Sequence, residues 1–217
     1  SLSILPRLGQ GLRLSIFLGL LGALGGPAKA AEKLAYEVIE TYQARDELPA
    51  FELRRYPAYW IAEVSLAGDF KQVGNQAFRI LFDYIQGANR ETAKIAMTAP
   101  VEQRPASPRM QTPADAGSGS GYRVAFVLPA RYTEATIPQP RDRRITIRQV
   151  ESTLMAAHRY SGSWRQDRYL NEAIRLKNAI TATDLTITGK PVFARYNPPF
   201  MPGFLRRNEV LMPVATD

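Results

Sequence analysis

The 217 residues contain no cysteine and a single histidine, His158, and this narrows the available chemistry at once. Thiol catalysis, cysteine-ligated zinc, iron–sulfur clusters and thioether-linked cofactors are excluded. So is metal ligation by two histidines of one chain. Serine chemistry is also unsupported. In Gly117-Ser118-Gly119-Ser120-Gly121, Gly119 stands where a nucleophile elbow needs Ser. As a dinucleotide loop, the same run has its third Gly one residue early. Glu63, Glu91, Glu102 and Glu209 lack the spacing of an acid pair, and no metal-ligand cluster appears. The sequence supplies no dedicated catalytic group. Any catalysis would fall to a bound cofactor, so the chain reads as a binding protein more than as an enzyme. What remains is two runs that mix strand-like apolar residues, prolines and cations. These are Lys94-Ile95-Ala96-Met97-Thr98-Ala99-Pro100-Val101 and Arg195-Tyr196-Asn197-Pro198-Pro199-Phe200-Met201-Pro202, the second followed by Arg206-Arg207-Asn208-Glu209-Val210.

The elements that must position these runs begin after an export-type segment. Residues 1–30 contain no acid. Arg7 and Arg13 precede the apolar core Leu14–Leu24, Pro27 ends it, and Ala28-Lys29-Ala30 offers small residues for cleavage. This predicts a signal peptide over 1–30 and a single domain over 31–217. It also predicts an exported protein of the periplasm or thylakoid lumen. The alternative is a membrane anchor formed by residues 2–25, although the apolar run falls short of the ~20 residues that span a bilayer. Cleavage would leave 187 residues and remove Arg7, Arg13 and Lys29, lowering the net charge from +8 to +5. That charge is modest for a nucleic-acid binder. It suits acidic small ligands, or peripheral contact with an anionic membrane surface.

The mature chain repeats itself about 94 residues apart. In Tyr59–Leu66, Trp60, Ala62, Val64 and Leu66 alternate with Glu63 and Ser65, the pattern of a half-buried strand. Gly68-Asp69 ends the strand, with Asp69 placed to cap a helix from Phe70 to Gly87. Phe70, Val73, Ala77, Leu81 and Tyr84 form the stripe of that helix, and Phe78, Phe82 and Ile85 widen it. The second copy runs through Thr153–Tyr160, Gly162, Ser163 as N-cap, and a helix over 164–180 with Tyr169, Ala173, Leu176 and Ile180 inward. Each helix is followed by a Pro-containing strand (Ile95–Val101; Val192–Pro198) and then by a final strand (Tyr122–Leu128; Glu209–Val214). Further strands are expected at Ala35–Ile39, Phe51–Tyr56 and Ile145–Val150. The expectation is an α+β domain. A duplicated β-α-β-β unit, with pseudo-repeats at about 50–130 and 145–215, forms a mixed and strongly curved sheet or distorted barrel carrying two pseudo-symmetric helices. Pro105–Gly121 reads as a solvated loop.

In this order, these segments resemble the SOUL/haem-binding protein family. Tyr36-Glu37-Val38 and Phe51–Tyr56 look like its opening strands, Lys94–Val101 like its first signature, and Tyr196-Asn197-Pro198-Pro199 with Arg206–Val210 like its closing signature. The resemblance spans about Tyr36 to Val214. It implies non-covalent binding of haem or another porphyrin in a shallow apolar cleft, lined by Phe70–Gly87 and Asn197–Arg207. A carrier or buffer of tetrapyrroles is the function implied. Phe78, Leu81, Phe82 and Met201 are then the candidate contacts to the flat ring. Arg79, Arg206 and Arg207 are the candidate partners of its carboxylates. The resemblance also implies basic residues along the first helix, where the matching positions here are Asn75 and Asp83.

His158 is the one candidate histidine ligand to an iron. By the repeat it matches Val64, a position that packs inside, and a lone histidine is more often structural than ligating. A different reading makes the chain an effector-binding module for another amphipathic small molecule. A cleft acid would favour that reading by attracting cationic ligands, and Glu63 and Glu209 are the candidates.

Overall fold

The computed structural model describes residues 31–106 and 121–216. The signal peptide expected over residues 1–30 and most of the expected Pro105–Gly121 loop lie outside the described residues. Twelve strands and two helices follow in chain order: β1 Glu32–Lys33, β2 Glu37–Tyr42, β3 Phe51–Tyr56, β4 Tyr59–Ala67, α1 Phe70–Ile85, β5 Thr98–Ala99, β6 Val101–Pro105, β7 Gly121–Val127, β8 Ile145–Val150, β9 Thr153–Tyr160, α2 Gln166–Thr181, β10 Leu185–Ile187, β11 Val192–Arg195 and β12 Asn208–Thr216. A one-turn 3-10 helix, Gly203–Leu205, precedes β12.

The duplication is visible in the sheet. Its strand order is β2-β3-β9-β12-β11-β6-β7-β4-β8, with β10 added beside β12. Read outward from the central β11–β6 pair, the sequence β12-β9-β3 on one side mirrors β7-β4-β8 on the other. Each half contributes its leading strand to the other half: β3 pairs with β9, and β8 with β4. Every pairing in this sheet is antiparallel, which corrects the expectation of a mixed sheet. The parallel pairing among the described residues is the two-residue match of β1 with β5. Each helix crossover joins two strands that run parallel without being neighbours, because the last strand of the same half lies between them: β7 between β4 and β6, and β12 between β9 and β11. The result is a strongly curled antiparallel half-barrel with two helices.

Both faces of the curled sheet are buried, and this explains why β4 departs from simple alternation. Ala62 and Val64 join the helices in the larger core, whereas Tyr59 and Ile61 belong to a second cluster with Ala125, Val127, Met155, Ala157, Ala194 and Leu211 on the opposite face. Glu63 is buried on that second face beside Ile61.

Helix α1 forms as its spacing predicts. Asp69 Oδ1 accepts a hydrogen bond from Gln72 N at 2.8 Å, satisfying one of the free N–H groups of the first turn. Phe70, Val73, Ala77, Leu81 and Tyr84 are buried. The helix ends in a Schellman motif. Gly87 takes φ +116°, its N–H reaches Tyr84 O, and the Ala88 N–H reaches Asp83 O. Helix α2 starts later than the repeat predicts. Its N-cap is Arg165, without a side-chain cap bond, and not Ser163. The segment before it is claimed by the C-terminal loop. The Trp164 indole N–H donates to Asn208 Oδ1 at 2.8 Å, Asn208 Nδ2 donates to Gly162 O, and the Gly162 N–H donates to Gly203 O. The first signature run is likewise not one strand. It is split into β5 and β6 at Pro100, which has no N–H for a ladder.

Candidate functional site

A cavity of about 630 Å³ opens on the helix-covered face of the sheet, between α1 and the segment that follows β11. This is within the ~300–1,000 Å³ range of small-molecule sites. Its walls come from both halves. Helix α1 supplies Gly74, Asn75, Phe78, Arg79 and Phe82, the β5–β6 region supplies Met97, Thr98, Ala99 and Val101, and the second half supplies Trp164, Arg195, Tyr196, Asn197, Pro198 and Pro199. The aromatic wall is ordered by its own contacts. Phe78 stacks on Phe82 with 5.8 Å between centroids and meets Phe126 of β7 edge-on at 5.2 Å. Phe78 is half-buried, while Phe82 is 42% exposed at the rim.

The loop from Asn197 to Arg207 is held by its own polar groups. Arg206 Nε donates to Met201 O and Arg206 Nη2 to Pro199 O, both at 2.7 Å, and the guanidinium lies 4.3 Å from the Trp164 ring centroid. Asn197 Oδ1 accepts from the Arg207 N–H, closing the base of the loop. Beyond the cavity the loop holds Phe200, Phe204 and Leu205 at 86%, 77% and 61% exposure.

The residues proposed from sequence take different places in the fold. Phe78, Arg79 and Phe82 line the cavity together. Leu81, at 0% exposure, packs in the main core and is absent from the lining, because it lies on the central stripe of α1 and not on its flank. Met201 contributes its carbonyl to loop closure, and Arg206 is the brace that uses it. Arg207 turns to the other face of the sheet, where Nη2 donates to Glu209 Oε1 at 2.8 Å and to Tyr36 OH at 3.2 Å. His158 is buried between β9 and α2. Its Nδ1 lies 2.8 Å from Ala50 O and its Nε2 lies 3.2 Å from Glu172 Oε2, so both ring nitrogens are already engaged away from the cavity.

The acids weighed as receptors for a cation are also spoken for. Glu209, at 0% exposure, accepts from Arg54 and Arg207. Burial pushes its carboxyl pKa up, but the hydrogen bonds and charge of Arg54, reinforced by Arg207, outweigh this and hold it below the ordinary glutamate range. Glu63 faces Arg148 at 3.2 Å, Arg104 at 3.8 Å and Arg123 at 4.0 Å. Both acids lie on the face of the sheet opposite the cavity and present no unmatched negative charge to it.

Arg195, Trp164, Gly74 and Met97 also line the cavity and are not among the residues proposed from sequence. Signals for two of them were present. Alternation along Val192-Phe193-Ala194-Arg195 puts an arginine on the apolar face that carries Phe193. A glycine inside a helix, here Gly74, costs about 1 kcal/mol and calls for a packing reason. A Cβ built there would lie 3.1 Å from Gln103 Oε1 and 3.4 Å from Arg195 Nη2. Trp164 was hidden by its assignment to the second helix.

Comparisons with known proteins agree with this architecture. A family model described as SOUL heme-binding protein matches residues 31–213. Heme-binding protein 1 of Xenopus laevis is 26% identical over 164 residues, covering 74% of this chain and 82% of that protein. Among solved structures, the EcmrR C-terminal domain has a TM-score of 0.59 at 12% identity, covering 76% of this chain and 96% of that one. An uncharacterized conserved protein from Listeria innocua has a TM-score of 0.53 at 14% identity, covering 85% and 94%. At these identities the two structures speak for the fold alone.

Proposed function

The chain belongs to the SOUL heme-binding protein family, and from that premise we propose that the cavity between α1 and the Asn197–Pro199 segment binds haem or a related porphyrin without a covalent bond. The observation that carries this reading is the composition of the wall. Phe78, Phe82, Met97, Trp164, Pro198 and Pro199 offer apolar and aromatic surface suited to a flat macrocycle, and the exposed Arg79 stands beside them for a carboxylate. The bound group would supply any redox chemistry, and the chain would supply apolar contact, charge and shelter from water. The engaged state of His158 supports binding that does not depend on it. We read the protein as a carrier or buffer, exported by residues 1–30. The test is titration of the purified protein with hemin and with protoporphyrin IX, reading the Soret band and tryptophan quenching. Saturable micromolar or tighter binding is expected, and its absence at modest ionic strength defeats the proposal.

The matched charges of Glu63 and Glu209 weigh against the alternative of a receptor for cationic amphipaths. A ligand screen by thermal shift separates the two, because a true ligand raises stability by mass action. A cationic apolar compound that stabilises the protein more than any porphyrin would favour the alternative. The exposed Phe200, Phe204 and Leu205, on a basic protein, support peripheral contact with an anionic membrane surface. Cosedimentation with phosphatidylglycerol vesicles should fall when Phe200 and Phe204 are both changed to Ser. Equal sedimentation of the two proteins would remove that contact.

A further inference from the structure

Other arginines packed against this sheet are matched. On the face away from the helices, Arg54 holds Glu209 and Glu52, and Arg104 lies against Glu102 and Glu63. Arg195, on the helix-covered face, is different. Among the described residues no Asp or Glu lies within ion-pair distance of it, and its Nε is buried without a hydrogen-bond partner. Its Nη2 donates to Oε1 of Gln103, a fully buried side chain whose own Nε2 donates to Phe70 O at 2.8 Å. The guanidinium lies 5.4 Å from the Trp164 ring and 5.3 Å from that of Phe193, so its near neighbours are aromatic faces.

Two features keep this cation turned to the cavity. Gln103, tethered to the start of α1, fixes one edge of the guanidinium. Gly74 lets the helix pass without a side chain that would cover it. Burial pulls the Arg195 pKa down to about 10, which leaves the group charged at neutral pH. A half-buried guanidinium among aromatic rings, with its Nε unpartnered and no anion beside it, is incompletely compensated in the free protein, and a ligand that brings an anion relieves that cost on binding.

We propose that Arg195 anchors a carboxylate of the ligand inside the cavity, so that the site selects flat apolar molecules bearing a carboxylate and discriminates against their neutral esters. The proposal rests on the porphyrin-site reading above and adds the ligand class and the residue that enforces it. Charge-assisted hydrogen bonds in a desolvated setting distinguish acid from ester by about ten- to a hundredfold.

The experiment titrates the full chain with protoporphyrin IX and with its dimethyl ester in one dilute-detergent buffer, following quenching of Trp164 fluorescence against a Trp164→Phe control. Wild-type protein should bind the free acid at least tenfold more tightly than the diester. Arg195→Gln should weaken acid binding by at least tenfold and bring the acid and ester affinities to within about threefold, while Arg141→Gln, at an exposed position outside the cavity lining, should leave the preference in place. Saturable binding of acid and ester with equal affinity by the wild type overturns the anchor while leaving the porphyrin site standing. An Arg195→Gln protein that keeps the full preference overturns it as well. Failure of both ligands to bind ends the porphyrin reading and the anchor with it. The wild-type comparison needs no variant, so a misfolded Arg195→Gln protein does not remove the test.

Discussion

Replacing Glu209 by Gln is expected to destabilise the protein severely, by an amount that the buried arginines set. The Glu209 carboxylate accepts four hydrogen bonds. Arg54 Nη1 donates to Oε2 at 2.8 Å and Arg54 Nη2 to Oε1 at 3.1 Å, while Arg207 Nε and Nη2 donate to Oε1 at 3.0 and 2.8 Å. Glu209 is 0% exposed and Arg54 3%. Gln removes the charge that compensates both guanidinium groups and leaves the buried Arg54 with the half-exposed Glu52 as its remaining anion. Removing one partner of a buried pair costs about 3–5 kcal/mol. For a domain of this size that corresponds to a fall in Tm of roughly 6–20 °C. The folded-state pKa of Glu209 lies below its unfolded value. Its stabilisation is therefore complete above the unfolded carboxylate range, about 4.3, and is lost as pH falls through the lower folded value. Thermal and urea unfolding by circular dichroism, run from pH 7 to pH 3.5, should show a wild-type-to-variant gap that is full at pH 7 and narrows below about pH 4. A variant melting within 2 °C of wild type at pH 7, or a gap that ignores pH, would refute the reasoning. The double change Arg54→Met with Glu209→Leu should recover part of the loss, because the fully buried Arg54 is then absent and the carboxylate is missing only from the more exposed Arg207. The network also matters to the site, since Arg207 closes the cavity loop through Asn197.

Three further outcomes follow from single contacts. Phe78→Ala, which strips the ring between Phe82 and Phe126, should weaken porphyrin binding about tenfold, measured by Soret titration; unchanged affinity would place the ligand elsewhere. His158→Phe should leave the Soret maximum of any hemin complex where it is, since both ring nitrogens are bonded to Ala50 O and Glu172, and a shift would make His158 a ligand after all. Asp69→Ala removes the cap of α1 and should lower stability by about 1 kcal/mol, while Asp69→Asn should retain most of it.

Local periodicity was enough to place much of the scaffold. The expected strands Phe51–Tyr56, Ile145–Val150 and Thr153–Tyr160 have those limits in the structure, and the central stripe residues that the 3.6-residue period selects in each helix are buried. What failed were judgements that depend on remote neighbours. Ser163 is a good cap by type, yet the C-terminal loop takes the backbone around it. Glu63 looks solvent-facing by alternation, yet the curled sheet buries its second face. The short strands β1 and β10 carry too few residues to announce themselves.

The sequence alone determined the duplication, the helix stripes and the family, because each is written in the type and spacing of nearby residues. It also put Phe78, Arg79 and Phe82 on the flank of one helix. Only the tertiary structure decided which charges are satisfied. Arg54, Arg195, Arg206 and Arg207 are the same side chain in the sequence. Folding gives the first and last a shared carboxylate, gives Arg206 two loop carbonyls, and leaves Arg195 among aromatic rings without an anion. The difference comes from what distant strands and loops carry to within three or four ångströms, the distance over which a charge inside the fold is either compensated or left without an anion.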